Sequence, residues 1–494
     1  MTQLNLRHSN GSELGNETIA TIDFEGDHVG NVTFGTIATI IDNGTNPGSG
    51  IYIGYGLKEI EAFLNKVVTL NSTNATGNIL NAILSGDGSF TFAGTNATYV
   101  GNSNSNYTGN TLLTDFANVT TLSDNAFGNT NELILNSTTT YNLNYYQNIT
   151  NSVWNNGTIN ISDGGELNAK ATYNYNELNI NNATLSTREE LDNYKNLNIT
   201  GSSNITVENF NNSGMNAKAD ITNSTLSVAN NITNEYGANL TITDSSNVDA
   251  NNFYNLNGTA TISNSTFDIN ESIRNIANLD ISNNSNINTN LLTNNGTASI
   301  QSSIFQTNNT LNNGTLNIES SNYTSDTYLF NQDNGSLHVN SGAMQTVTFN
   351  NNGTANIDNS NVSTTTLSNT NTLNVDSGTI QTVTLFNNGS LHVRSGAINV
   401  YNYYDTNETS LNGTLNISSE ALLNGTLSGT GVINANTSTF IVDSNNSNFS
   451  GTLNLNSGNL SVGSSPLNSN ASLGGVITAI SGTTVSGYGN ITDT

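Results

Sequence analysis

An 18-residue internal repeat is the feature of this sequence that most limits how the chain can fold. The segment NGSLHV begins at Asn334 and again at Asn388, three 18-residue steps later. Each repeat reads apolar, polar, apolar and then a short polar run, which is the pattern of a half-buried strand. Two apolar columns result, formed by Leu337, Ala355, Leu373 and Leu391 and by Val339, Ile357, Val375 and Val393. A strand that recurs at this interval predicts a solenoid.

The repeat continues upstream with steps of 18 to 22 residues, and downstream it resumes at Leu415 after a longer step. We therefore predict an all-β fold, a right-handed parallel β-helix with three short strands and about 18–22 residues per coil. Asn and Gly tolerate the left-handed backbone of tight corners, and stacked Asn side chains can form hydrogen-bonded ladders along the axis. The upstream column consists of Ile159, Leu178, Leu197, Ala219, Leu240, Ala260, Leu279, Ala298 and Leu316.

Charge and cysteine usage exclude several classes of function. The formal net charge is −27, and only nine basic residues are spread along 494 positions. Nucleic-acid binding and attachment to anionic membranes both need a basic surface, so we expect neither. The absence of Cys is typical of bacterial proteins that cross two membranes unfolded. The polar start at Met1 and the lack of a membrane-spanning apolar run suggest a mature region or an expressed fragment.

The region before residue 110 has a different pattern. Its one stretch with helical spacing predicts a short amphipathic helix near 57–68. A helix there would cap the open end of a solenoid. The alternative is a membrane-active segment, supported only by Gly50-x-x-x-Gly54. The helical face would consist of Leu57, Ile60, Leu64, Val67 and Val68.

No group of residues predicts catalysis or metal binding. His338 and His392 occupy equivalent outward positions three coils apart, which is too far to share a metal ion. Arg394 lies one coil from Asp376 and should form an exposed ion pair. We expect no enzymatic activity and no cofactor. The aspartates of the repeat are expected to be solvated corner residues: Asp163, Asp244, Asp280, Asp358 and Asp376.

The candidate binding residues are Tyr401, Tyr403 and Tyr404, which lie within the long step before Leu415. They predict an inserted loop that packs on the solenoid, or else an exposed aromatic patch that contacts a partner. Tyr145 and Tyr146 form a second, weaker candidate.

Residues 427–494 resemble the autotransporter-associated β-strand repeat of passenger domains secreted by the type V route in Gram-negative bacteria. The matching segments are NFSGTL from Asn448 and GYGNI from Gly487. The preceding coils resemble Asn-rich passengers of the adhesin and vacuolating-toxin types in general pattern. The resemblance implies a signal peptide and a C-terminal membrane β-barrel in the precursor, neither of which this sequence contains.

The resemblance implies a passenger at the bacterial outer-membrane surface or in the extracellular medium. We expect an adhesin or a self-association rod active in aggregation and biofilm formation; the alternative is a pore-forming, vacuolating-toxin-like passenger. Its partner would be a host-cell surface protein or glycan, or another copy, with membrane contact only through the missing barrel. The predicted segments are an N-terminal cap and early coils (1–110), a main β-helix (111–435) and C-terminal coils (436–494).

Overall fold

The computed structural model describes residues 18–41, 50–73 and 79–492. The secondary structure is almost entirely β, with 67% of residues in strands, and parallel strands stack coil upon coil to give a β-solenoid of about 22 turns. The predicted all-β, parallel solenoid is therefore confirmed. The chain divides into two compact units, Met1–Ala229 and Asn230–Thr494; the finer segment boundaries at 110 and 435 stay a prediction. No helix in the described ranges is long and apolar enough to span a membrane.

Each coil contributes to two parallel sheets, called here sheet 1 and sheet 2. Sheet 1 has strands of five residues or fewer. In unit 1 its strands are Ile79–Leu80, Ala97–Val100, Asn118–Thr121, Thr140–Leu143, Thr158–Ser162, Glu177–Asn181, Asn196–Thr200 and Lys218–Thr222. In unit 2 they are Asn239–Thr243, Thr259–Ser263, Asn278–Ser282, Thr297–Gln301, Thr315–Glu319, Ser336–Asn340, Thr354–Asp358, Thr372–Val375, Ser390–Val393, Glu408–Leu411 and Thr426–Ser428.

Sheet 2 contains the longer strands. In unit 1 its strands are Val67–Asn71, Ser89–Ala93, Thr111–Leu113, Leu133–Leu135, Tyr146–Asn148, Ser152–Asn155, Glu166–Ala169, Ala171–Asn174, Thr184–Thr187, Glu190–Asn193, Asn204–Ser213 and Thr225–Glu235, the last of which crosses the unit boundary. In unit 2 they are Asn247–Asn255, Thr266–Asn275, Asn286–Asn294, Ile304–Asn312, Asn322–Asn331, Ala343–Asn351, Asn361–Asn369, Thr379–Asn387, Ala397–Asp405, Thr414–Leu423, Val432–Val442, Thr452–Val462, Val476–Ala479 and Thr484–Ser486.

The second and third strands predicted for each coil are separate only in part of the chain. Glu166–Ala169 and Ala171–Asn174 are two short strands of one coil. From residue 204 to residue 462 the corresponding residues form one long strand per coil that bends in the middle. Several pairs of these strands shift register at the bend, as Asn322–Asn331 and Ala343–Asn351 do. The bend keeps the coil closed while its backbone hydrogen bonds continue to the next coil.

The helix predicted near 57–68 is wrong. Gly50–Ala62 is a strand that pairs antiparallel with Asp27–Ile41, which in turn pairs with Thr18–Phe24. Gly50–Ala62 also pairs in parallel with Ile83–Ser85. The antiparallel meander therefore covers one strand edge of unit 1. The residues of the predicted helical face do not share one environment, because Ile60 is buried while Leu64 is exposed. Two smaller elements complete the structure: a sheet of Asn445–Asn446, Ser472–Gly474 and Asn490–Thr492, and the 3-10 helix Pro466–Asn468.

The predicted apolar columns are in register from Ile159 to Leu391 in the pairings of sheet 1 within each unit. The prediction that the column resumes at Leu415 is wrong. Leu391 pairs with Thr409 one regular 18-residue step later, and Leu415 pairs with Ile398 in sheet 2. A polar residue at an inward position concealed this coil in the sequence.

In each unit a row of buried asparagines lines the interior of sheet 2, and we call these residues the inner amide ladder. Within each unit, the Nδ2 of every member but the last donates to the Oδ1 of the asparagine one coil further on and to a backbone carbonyl. Asn294, for example, donates to Asn312 at 2.8 Å and to the carbonyl of Thr315 at 2.8 Å. Because a buried amide without partners is costly, this pairing allows polar side chains inside the core. The members are Asn155, Asn174, Asn193 and Asn212 in unit 1, and Asn234, Asn255, Asn275, Asn294, Asn312, Asn331, Asn351, Asn369 and Asn387 in unit 2.

The corners use asparagine and glycine for different physical reasons. Asn182, Asn264 and Asn359 have positive φ angles of 50°, 48° and 47°, as the corner argument predicts. Gly314 is needed because a Cβ there would collide with the carbonyl oxygen of Gly296, one coil before. Close stacking of successive coils therefore explains this NNGT corner.

Candidate binding surfaces

The three candidate tyrosines lie in the regular strand Ala397–Asp405, so the inserted loop predicted for them is wrong. Their side chains separate because a strand alternates its faces and bends at its centre. Tyr401 is 53% exposed, whereas Tyr403 is fully buried and its hydroxyl lies 2.6 Å from Thr409 Oγ1. Tyr404 stacks on Phe386 at a ring-centroid distance of 5.3 Å and donates to Glu420 Oε2. The three residues therefore do not form one patch.

Tyr401 contributes to a groove in the outer surface of sheet 2, at the bend of the long strands. The groove has a volume of about 510 Å³ and crosses the coils of residues 324–418. The strand register stacks Thr324, Gln345, Ser363, Gln381 and Asn399 along it. We call this surface the bend groove. Because successive coils stack in register, side chains far apart in sequence face the same channel.

The floor and one wall of the bend groove differ in chemistry. Thr346, Thr364 and Thr382 form the floor, and their hydroxyls are engaged with backbone carbonyls; Thr364 Oγ1, for example, lies 3.0 Å from Val347 O. Val347 and Val383 are 50% and 49% exposed on the wall that ends at Tyr401. The groove therefore places an apolar wall beside a row of uncharged polar side chains.

Outward-facing asparagines form two further ladders. The first outer ladder is Asn142, Asn160, Asn179 and Asn198 in sheet 1, joined by amide hydrogen bonds of 2.7–2.9 Å. The second is Asn399, Asn416, Asn434 and Asn454 in sheet 2, with steps of 2.7–2.9 Å. An amide oxygen can accept two hydrogen bonds, and each step of the ladder uses one. Both surfaces consequently keep acceptor capacity directed outward at regular intervals.

A row of aromatic rings on the surface of unit 1 was missed in the sequence. Trp154 stacks on Tyr173 at 4.3 Å, and Tyr175 stacks on Tyr194 at 4.8 Å. The 19-residue spacing of Trp154 and Tyr173 was the available signal, since it equals one coil. The rings stack mainly on one another, so this row strengthens the contact between coils. Of the second candidate pair, Tyr145 is exposed, and Tyr146 begins the strand Tyr146–Asn148.

The inner amide ladder ends at a carboxyl group. Asn387 Nδ2 donates to Asp405 Oδ1 at 2.7 Å, and the next residue in the column is Leu423. Asp405 is 1% exposed, and its Oδ2 has no hydrogen-bond partner in the described structure. Burial raises the pKa of this carboxyl to about 6, against the lowering effect of hydrogen bonds from Asn387, the backbone of Asn407 and Thr409. The inner amide ladder therefore ends at a carboxyl group whose pKa lies near neutral pH.

The remaining titratable residues are dispersed. In residues 18–41, 50–73 and 79–492, no group of three or more His, Asp or Glu side chains could hold a metal ion. His338 points outward and contacts Ser336 and Asn356. Arg394 Nη1 lies 3.0 Å from Asp376 Oδ1, so the predicted exposed ion pair is present.

Comparisons with protein-family models, curated proteins and solved structures found no match. The surfaces of this chain and the sequence resemblance of residues 427–494 are therefore the observations that bear on function.

Proposed function

We propose that this chain is the passenger of an autotransporter-type bacterial surface protein and acts as an adhesin or self-association element. The observation that carries the proposal is the pair of outer amide ladders, each of which repeats an uncharged group over four successive coils. A second copy aligned with such a ladder can form the same weak contact at several successive coils, and repeated contacts add up to avidity. The resemblance of residues 427–494 to the autotransporter-associated repeat supports the extracellular location.

The acidic charge of the chain predicts how salt acts on this association. Two copies with a formal charge of −27 repel each other, and salt screens that repulsion. Contacts between amides and hydroxyls are themselves almost independent of ionic strength. Association should therefore persist or strengthen as salt is raised, whereas association through ion pairs would weaken.

The proposal is tested with microspheres coated with the purified chain. Coated spheres should cluster with one another or attach to cells, and the effect should persist at physiological salt. Asn179→Asp and Asn416→Asp place like charges in the two outer ladders and should reduce clustering. Asn257→Asp adds the same charge at an exposed position outside them and is the control. Spheres that stay dispersed and attach to no cell at any ionic strength would refute the proposal.

The pore-forming alternative loses the sequence feature on which it was based. Residues 50–62 form a strand of an antiparallel sheet, and the expected amphipathic helix is absent from this described stretch. Leakage of dye from liposomes remains the test of that alternative, and no surface described above favours it.

A further inference from the structure

We infer that the bend groove binds a neutral, hydroxyl-rich polymer, namely an uncharged oligosaccharide or polysaccharide chain. The inference deepens the proposed adhesive function, because it specifies one ligand class and one site. Four properties of the groove support this ligand class: its shape, its free hydrogen-bonding groups, its apolar wall and its charge.

The shape of the groove suits an extended chain. Its polar row runs through five successive coils, from Thr324 to Asn399, in unbroken parallel register. Adjacent coils are about 4.8 Å apart, so the row is roughly 19 Å long. A linear polymer lying along the solenoid axis would meet an equivalent side chain at each coil.

The polar row differs from the outer amide ladders in its hydrogen bonding. In the ladders each amide donates to its neighbour, as Asn416 does to Asn399 at 2.7 Å. Gln345, Ser363 and Gln381 are exposed and, in this fully described part of the chain, form no side-chain hydrogen bond with the protein. Long and short side chains alternate here, which prevents a ladder. Their donors and acceptors are therefore available to hydroxyl groups of a ligand.

The opposite wall supplies an apolar surface. Val347 and Val383 lie two coils apart, and Thr365 occupies the coil between them. Tyr401 follows one coil after Val383. A sugar ring has C–H faces as well as hydroxyl groups, so it can pack against such a wall while it bonds to the amides. A peptide strand would instead need unpaired backbone groups, which the paired strands of sheet 2 do not offer here.

Charge favours a neutral polymer over an anionic one. Asp326 is the one ionisable acid or base among the lining residues, apart from the Tyr401 phenol, and no Lys, Arg or His lines the groove. The formal charge of −27 adds a repulsive field for any polyanion. An uncharged ligand avoids this cost.

The test is isothermal titration of the full chain with cellohexaose, maltohexaose and mannohexaose, with a hexamer of galacturonate as the anionic probe. At least one neutral hexasaccharide should bind, with an affinity that salt leaves unchanged, and the galacturonate hexamer should bind more weakly. Tyr401→Ala should weaken binding by about 3- to 10-fold. Gln345→Ala combined with Gln381→Ala should also weaken it.

Ile304→Ala is the control, since Ile304 is exposed on the same sheet but outside the bend groove. Equal circular dichroism spectra would establish that the variants fold. The inference is overturned if no neutral hexasaccharide binds, if the anionic probe binds best, or if the groove variants bind as the control does. Clustering of coated microspheres that survives the groove substitutions would leave the proposed adhesive function standing without this site.

Discussion

Asp405→Asn should stabilise the protein at neutral and alkaline pH. The substitution continues the inner amide ladder by one coil and removes its single carboxyl group. Burial raises the pKa of Asp405 from an ordinary 3.8 to about 6. A carboxyl with a raised pKa contributes its full stability below about pH 4, and this contribution is lost as pH rises through about 6.

The size of the effect follows from the change in pKa. A difference of about two units corresponds to roughly 3 kcal/mol between the protonated and ionised forms. The amide that replaces the carboxyl cannot ionise, so the variant should gain up to about 3 kcal/mol over the natural chain at pH 8. At pH 4 the two proteins should differ little, because the natural carboxyl is then largely protonated.

Hydrogen exchange read by mass spectrometry measures this difference locally, which suits a repeat protein whose coils need not unfold together. Peptides that cover residues 379–423 should be better protected in the variant at pH 8 and equally protected at pH 4. Comparison of the two proteins at each pH cancels the pH dependence of intrinsic exchange. Equal protection at both pH values, or weaker protection of the variant at pH 8, would refute the argument.

Two further substitutions test the stacking of the coils. Asn312→Ala removes the hydrogen bonds that Asn312 forms with Asn294 and Asn331. It should therefore lower the free energy of unfolding, measured with denaturant, by about 2–4 kcal/mol. Arg394→Ala removes an exposed ion pair and is the control; it should lower the free energy of unfolding by less than about 1 kcal/mol. A similar loss for both variants would contradict the stabilising role of the ladder. Gly314→Ala forces a methyl group against the carbonyl of the preceding coil and should lower the melting temperature, with a cost of about 1–3 kcal/mol. An unchanged melting temperature would show that this corner tolerates a side chain.

The apolar columns were predictable because a half-buried strand imposes alternation, and stacking imposes the same alternation on every coil. The coil of Glu408–Leu411 escaped prediction because Thr409 occupies an inward position. Its hydroxyl is satisfied by Tyr403, a residue of the other sheet, and no local pattern shows such a contact. The helix predicted near 57–68 was wrong for a related reason. Helical and strand spacing coincide over short apolar runs, and pairing with Asp27–Ile41 makes residues 50–62 a strand.

The candidate site was predictable only in part. Tyr401 was identified as a surface aromatic, but its partners in the bend groove come from coils up to 77 positions earlier and contain ordinary Gln, Ser, Thr and Val residues. The bend shows only in the changed alternation of buried and exposed residues at the centre of each long strand, which depends on the folded coil. Asp405 was likewise overlooked, because its significance comes from the column of asparagines that it ends.

Sedimentation velocity of the purified chain, across a range of concentrations at low and at physiological salt, tests the central claim most directly. The claim is that uncharged side chains repeated along the solenoid hold copies together. We expect reversible, concentration-dependent association that is equal or stronger at physiological salt and weaker in Asn179→Asp and Asn416→Asp. A monomer at every concentration, or association that disappears as salt is raised, would contradict it.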